Sequence, residues 1–275
     1  MTRTGRDQVN AIFPRDPSLE YLHRAAWDNY LLFNRAYRSA YELLSEHYRA
    51  AVMRLGDSSL DASTDQPEDE TREALIGHIL GLYVHGVVDI EPGSLVDLFF
   101  EHAPVETRAR LTELVGLDLM NENNPTQQAL VRLQRLWEWR LRALQKRAAS
   151  DLDELKGFGW WFESGKFDDT WALAQLNNLL TANRTIEADA GIIKQLAALR
   201  HEHLAQVVAC LASVIDAAQR HVPAKPWFVT ANYDEIRVIL EDGIKAEDQT
   251  TVGLARQTLN RLFARGHTQF EDLLT

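Results

Sequence analysis

Cysteine is almost missing from this chain: Cys210 is the single one in 275 residues. One thiol closes no intramolecular disulfide and builds no zinc site of several thiolates. Cys210 therefore reads as a small buried apolar side chain in a reducing compartment, and the expected location is cytoplasmic. Turn formers are scarce too. The 14 glycines and 8 prolines fall below the roughly 12% that these two types contribute on average, which disfavours sandwiches and barrels with many tight turns. No apolar run approaches the roughly 18 residues needed to span a membrane, and the N-terminal residues lack a signal-peptide core, so no membrane partner is expected. Basic charge is outnumbered, with 29 Lys and Arg against 40 Asp and Glu and a net charge of −11. That balance argues against non-specific binding of the whole molecule to nucleic acid, though not by a local patch.

What is present is helical periodicity. Asp16-Pro17 has the form of a cap followed by a first-turn proline. Leu19, Leu22, Ala26, Tyr30 and Phe33 then recur at steps of three and four, which defines one helical face. A second helix is predicted over 37–55. The stretch 57–70 holds six acids and no base, with Ser58, Ser59, Ser63 and Pro67 among them, and reads as a solvated acidic loop. From about 71 to 88 the apolar face is broad (Leu75, Ile76, Ile79, Leu82, Tyr83), as for a helix buried between two neighbours. Pro92 and Pro104 read as first-turn prolines of short helices ending near Glu101 and Val115. The clearest helix follows Pro125, with Leu130, Leu133, Trp137, Leu141, Leu144 and Ala148 as its buried stripe.

Past Ser150 the helices come in pairs: 152–163 with 169–180, 188–199 with 202–220, and 233–244 with 249–264, closed by a short turn at 270–274. No strand signal competes. Such pairs cannot bury their apolar faces alone and must stack. The expected fold is all-α, with stacked antiparallel helix pairs forming an α-solenoid of the HEAT/armadillo kind. The expected organisation is an N-terminal arm (1–15), an N-terminal helical region (16–150) carrying the acidic loop, and C-terminal helix-pair repeats (151–275).

The densest motif runs from Gly157 to Trp171. Gly157 and Gly159 do not complete Gly-x-Gly-x-x-Gly and follow no strand, so a dinucleotide site is excluded. A mechanical reading fits the residues. Ser164-Gly165 stops one helix, Phe167 folds back over the junction, Asp168 caps the next helix, and Trp161 and Trp171 clamp the hairpin. The alternative is Trp160 or Phe158 as an exposed aromatic anchor for a partner. A basic stripe follows Pro125, where Arg132, Arg135, Trp139, Arg142 and Lys146 fall at steps of three and four, with Arg140 and Arg147 beside them. Arginines interleaved with an aromatic suit a protein partner, a phosphate backbone, or simply an acidic neighbour. His201-Glu202-His203 lacks the spacing of a zinc-binding pair, and His78, His85 and Asp89 lack further ligands, so these histidines read as packing or capping groups and no metal or cofactor is expected. No Gly-x-Ser-x-Gly or phosphate loop marks a nucleophile or nucleotide site.

The segment Glu154-Leu155-Lys156-Gly157-Phe158-Gly159-Trp160-Trp161-Phe162 through Trp171-Ala172-Leu173 resembles the helical-repeat C-terminal region of large bacterial conflict and antiphage proteins. So does the ending from Leu259-Asn260-Arg261-Leu262 to Phe270-Glu271-Asp272-Leu273-Leu274. In that family the repeats follow sirtuin-like or NACHT-type effector modules. The resemblance implies a recognition or scaffold array and offers no catalytic residues. No effector module stands in this sequence, so the chain is expected to be a fragment of a longer protein or to act with a separately encoded partner. The leading expectation is a non-enzymatic, protein-binding scaffold, with Arg132, Arg135, Trp139, Arg142, Lys146 and Trp160 as partner-binding candidates. The alternatives are a nucleic-acid-binding repeat protein that uses the basic face, and an unrecognised hydrolase.

Overall fold

The computed structural model describes residues 13, 17–56, 66–144, 149–182, 186, 189–220 and 227–274. Among these, every regular element is helical. The N-terminal arm apart from Phe13, most of the acidic stretch, and Lys146, Arg147 and Ala148 of the basic helix lie outside the described residues. The α-helices are α1 (Glu20–Phe33), α2 (Arg38–Arg54), α3 (Gln66–Val84), α4 (Leu95–His102), α5 (Val105–Asn121), α6 (Gln127–Leu144), α7 (Phe158–Glu163), α8 (Asp169–Ala182), α9 (Asp189–Arg220), α10 (Trp227–Ala231), α11 (Tyr233–Ile244) and α12 (Gln249–Ala264). The chain divides into two compact units, Met1–Leu111 and Thr112–Thr275.

In the first unit α1 packs on α3, and α2 packs on α4. Its core is made by Trp27, Leu31, Tyr48, Val52, Ile79, Tyr83, Phe99 and Phe100, all buried. α3 begins at Gln66, so the end of the acidic stretch is helical rather than loop. Pro67 stands in its first turn, where a missing N–H costs nothing. α4 starts from an N-cap at Ser94 rather than from Pro92: Ser94 Oγ accepts from the Asp97 amide, and Asp97 Oδ2 accepts from the amide of Gly93 just ahead of the cap. α5 does not stop near Val115 but runs on to Asn121.

The second unit is organised on α9, which touches α7, α8, α10, α11 and α12. The sequence reading expected two helices here, 188–199 and 202–220. Instead there is one, kinked where His203 leaves helical geometry (φ −129°, ψ 34°). The apolar stripe continues through the kink, with Ile192, Ile193 and Leu196 buried before it and Val207, Leu211, Val214 and Ile215 after it. No proline or glycine falls near the kink to end the helix. Ion pairs Arg200–Asp242 and Arg261–Asp216 tie α9 to α11 and α12. At the C-terminal side, a 3-10 helix (Thr268–Leu274) buries Phe270 against Tyr233, while the Arg237 guanidinium holds Asp272.

Compactness changes inside α5, at Leu111/Thr112, rather than at 150. The reason is a set of close contacts between the C-terminal part of α5 and the segment that leads into α7. Thr112 Oγ1 donates to the Glu154 carbonyl at 3.0 Å, and Trp161 Nε1 donates to the Thr112 carbonyl at 2.6 Å. Gly157 lies so close to α5 that a Cβ there would land on Thr112 Oγ1 and 2.6 Å from the Glu113 amide nitrogen. Gly157→Ala is therefore expected to destabilise the chain by about 1–3 kcal/mol, the usual cost of overpacking. Urea unfolding of the full chain measures it, and an unchanged midpoint would remove this contact from the account.

Candidate functional site

Around the 157–171 motif, five aromatic rings gather into one cluster. Trp137 meets Phe158 at 4.8 Å, Trp161 edge-on at 5.6 Å and Trp171 at 5.4 Å between ring centroids. Phe167 stacks on Trp161 and leans against Trp171. The turn between α7 and α8 is made by Gly165 in the left-handed region (φ 62°), where a side chain would be strained. Ser164 Oγ donates to the Trp161 carbonyl, and Asp168 Oδ1 accepts from the Trp171 amide at 2.9 Å, in the manner of a helix N-cap. Trp171 Nε1 donates to Glu138 Oε1, which fastens α8 to α6. Trp160 is half-buried and packs on Gly116 of α5, where a side chain would collide with it. The Trp160 Cβ is thereby held by packing on α5.

The basic stripe of α6 divides. Arg135 and Arg142 are exposed, and Arg132 and Trp139 are half-buried. Arg140 is withdrawn from the stripe altogether. It is buried, and it forks onto Glu154 with Nε–Oε1 at 2.5 Å and Nη2–Oε2 at 3.1 Å; the two side chains are only 3% and 0% exposed. Its guanidinium also lies 4.8 Å from the Trp139 ring centroid. The sequence offered no sign of this pairing, since the two residues sit on different elements and Arg140 shares its helix with three other arginines, Arg132, Arg135 and Arg142.

The apolar face that the spacing marks on α1 turns out to be exposed. None of Leu19, Leu22, Ala26, Tyr30 and Phe33, which the spacing set on one helical face, is buried; Leu22 is 44% and Phe33 79% exposed. α1 instead buries Trp27 and Leu31. Between α1 and α2 lies an open, mainly apolar groove of about 530 Å³, lined by Phe13, Ala26, Tyr30, Phe33, Leu43 and Leu44, with Asn29 and Asn34 as polar points. Phe13 is buried and touches the rings of His23, Trp27, Tyr30 and His47. Tyr37, Leu43 and Met53 add exposed apolar surface on the turn and on α2.

Among the described residues no group of three or more His, Cys, Asp or Glu side chains is placed to hold a metal ion. His78 is buried and hydrogen-bonded, and His85 is exposed. The Cys210 thiol is buried, and burial pushes its pKa up to about 12, which leaves it protonated and unreactive. No described helix is long and apolar enough to cross a membrane. No family model matches the chain, and neither the curated proteins nor the solved structures return a match.

The buried ion pair makes a sharp prediction. Removing one partner strands the other charge in a dry site, so Arg140→Met or Glu154→Leu alone is expected to cost about 3–5 kcal/mol. The double substitution leaves no stranded charge and is expected to recover most of that loss. Denaturant midpoints of the three variants measure both numbers; equal losses in the singles and the double would contradict this account.

Proposed function

We propose that this chain is a protein-binding helical scaffold with no catalytic chemistry of its own, and that its docking surface is the groove between α1 and α2. The observation that carries the reading is the exposed apolar surface of α1 and α2, of which Phe33 and Leu43 line the groove itself. Of the nine exposed large hydrophobic residues among the described ones, seven lie between Tyr21 and Met53. Proteins in water rarely leave contiguous apolar surface uncovered unless a partner covers it. Each such side chain buried on association contributes about 1.5–3 kcal/mol. A shallow groove between two helices suits an amphipathic helix laid with its apolar side inward.

The paired helices packed on α9 support the scaffold part of the reading, with the HEAT/armadillo arrangement as its repeat-like form. The resemblance carried by 154–173 and 259–274 supports a place in a bacterial defence system as the recognition component. Arg132, Arg135, Trp139 and Arg142 on α6 form a second surface for a partner. Nucleic-acid binding through α6 has less support, because Arg140 is committed to Glu154.

A photo-crosslinking amino acid placed at Phe33 is expected to capture a discrete partner in cells. The same group at Gln257, an exposed position on α12, is expected to capture none. Phe33→Glu combined with Leu43→Glu is expected to abolish capture by a crosslinker at Tyr37. Equal yields from positions 33 and 257 would defeat the assignment of this surface.

A further inference from the structure

The inner side of α1 is fixed by a chain of contacts. Trp27 meets Tyr48 edge-on and stacks on His47. The Tyr30 hydroxyl is 3.1 Å from that of Tyr48, which is 2.7 Å from His78 Nδ1. His78 Nε2 in turn is 2.9 Å from the Asn34 carbonyl oxygen, just past the helix. The outer side of α1 is therefore presented as a rigid strip, which loses little freedom when something docks on it.

That strip reads the same in both directions. Leu22, Ala26, Asn29 and Phe33 fall at steps of four, three and four, so they share one line along the helix. Bulky residues stand at its two ends and small ones, with Ala25 beside them, at its middle. Two such lines laid antiparallel meet in register about a two-fold axis between positions 27 and 28. Leu22 then lies level with Phe33 of the second copy, and Ala26 with its Asn29. The small residues let the helices approach where they cross, and the bulky ones fill the space where they diverge. Asn29 Nδ2 donates to the Ala25 carbonyl at 2.7 Å, so part of its polar demand is met within its own helix. The charged residues of α1, Glu20, Arg24 and Asp28, lie roughly 130–170° around the helix from the line. An antiparallel pair also sets helix ends of opposite sign side by side, where a parallel pair sets like ends together.

We propose that the occupant of the groove is α1 of a second copy of this chain, an assignment that rests on the groove being a docking surface at all. The association is isologous. Each α1 lies on the other, and Leu22 of each copy enters the groove of the other beside Phe33 and Leu43. Both grooves are filled at once, which closes the assembly at two. The amount of apolar surface suits this. Tyr21 is 70%, Phe33 79% and Tyr37 59% exposed. Aromatic side chains offer about 150–250 Å² each, so these three bring roughly 400 Å², about half of what one partner gives to a standard interface. Leu22, Leu32 and Leu43 are exposed as well and add to it.

Sedimentation equilibrium of the full chain is expected to show monomer and dimer in exchange. Phe33→Glu and Leu22→Arg, both at exposed positions, are each expected to weaken the dimer by about tenfold or more, since each sets a charge against an apolar side chain. Gln257→Glu on α12 is expected to leave it unchanged. The two weakened variants, mixed, are expected to form a mixed dimer tighter than either makes alone. The antiparallel register sets their introduced charges, of opposite sign, against each other at one end and keeps Leu22 on Phe33 at the other. The photo-crosslinker at Phe33 is expected to join the chain to a second copy near Leu22, which peptide mass spectrometry reads without any charge substitution. A chain that stays monomeric at every concentration overturns the second copy. If the crosslinker then captures another protein, the docking surface stands; if it captures nothing, both readings fall. A dimer indifferent to Phe33→Glu, a mixture no tighter than its components, or a crosslink from position 33 to residues 1–12 of the same chain would likewise overturn the assignment.

Discussion

A helix in water must hide its apolar stripe, and this constraint organises each unit of the chain. In the second unit it is met by a long kinked helix that offers apolar side chains along its length, with Ile193, Val208, Leu211 and Ile215 all buried. α7, α8, α10, α11 and α12 pack against it. In the first unit the constraint is met by α3 and α4 but only in part by α1 and α2, where Leu22, Phe33, Leu43 and Met53 remain exposed. That uncovered side is the reason to look for function there rather than in a cleft of polar groups.

The interior is not purely apolar, and some of its polar groups are held as pairs and chains. Arg140 and Glu154 meet as a two-pronged pair with almost no exposure. Such a pair adds little net stability over an apolar replacement, but it tolerates the loss of neither member. Its value is in fixing α6 against the segment ahead of α7, where five aromatic rings then interlock. Tyr48 and His78 do the comparable service under α1. Burial and hydrogen bonding push the Tyr48 phenol far above its ordinary range, so it stays a neutral donor.

The helical character of the chain was legible in its apolar spacing. α2 and α12 fall close to where the spacing put them, and the α6 stripe of Leu133, Trp137, Leu141 and Leu144 is buried as read. Two things were not legible. The polar run His201-Glu202-His203 looks like a break in the stripe, yet His201 and Glu202 are simply exposed and the helix only bends. α1 carries two apolar faces, one through Leu22 and Phe33 and one through Trp27 and Leu31. Periodicity defines both and cannot choose; the choice was made by Tyr48 and His47, whose rings receive Trp27. The groove was hidden for that reason, and Arg140 was hidden because pairing across elements leaves no trace in local spacing.

The aromatic cluster of the second unit has an optical consequence. Trp137 lies within 5.6 Å of both Trp161 and Trp171, ring centre to ring centre. Indoles that close and that rigidly angled share their electronic transitions, so their near-ultraviolet dichroism arises from the group rather than from separate chromophores. Opening of the α7–α8 hairpin uncouples them, and the chain thereby carries an intrinsic, label-free reporter of whether that hairpin is shut.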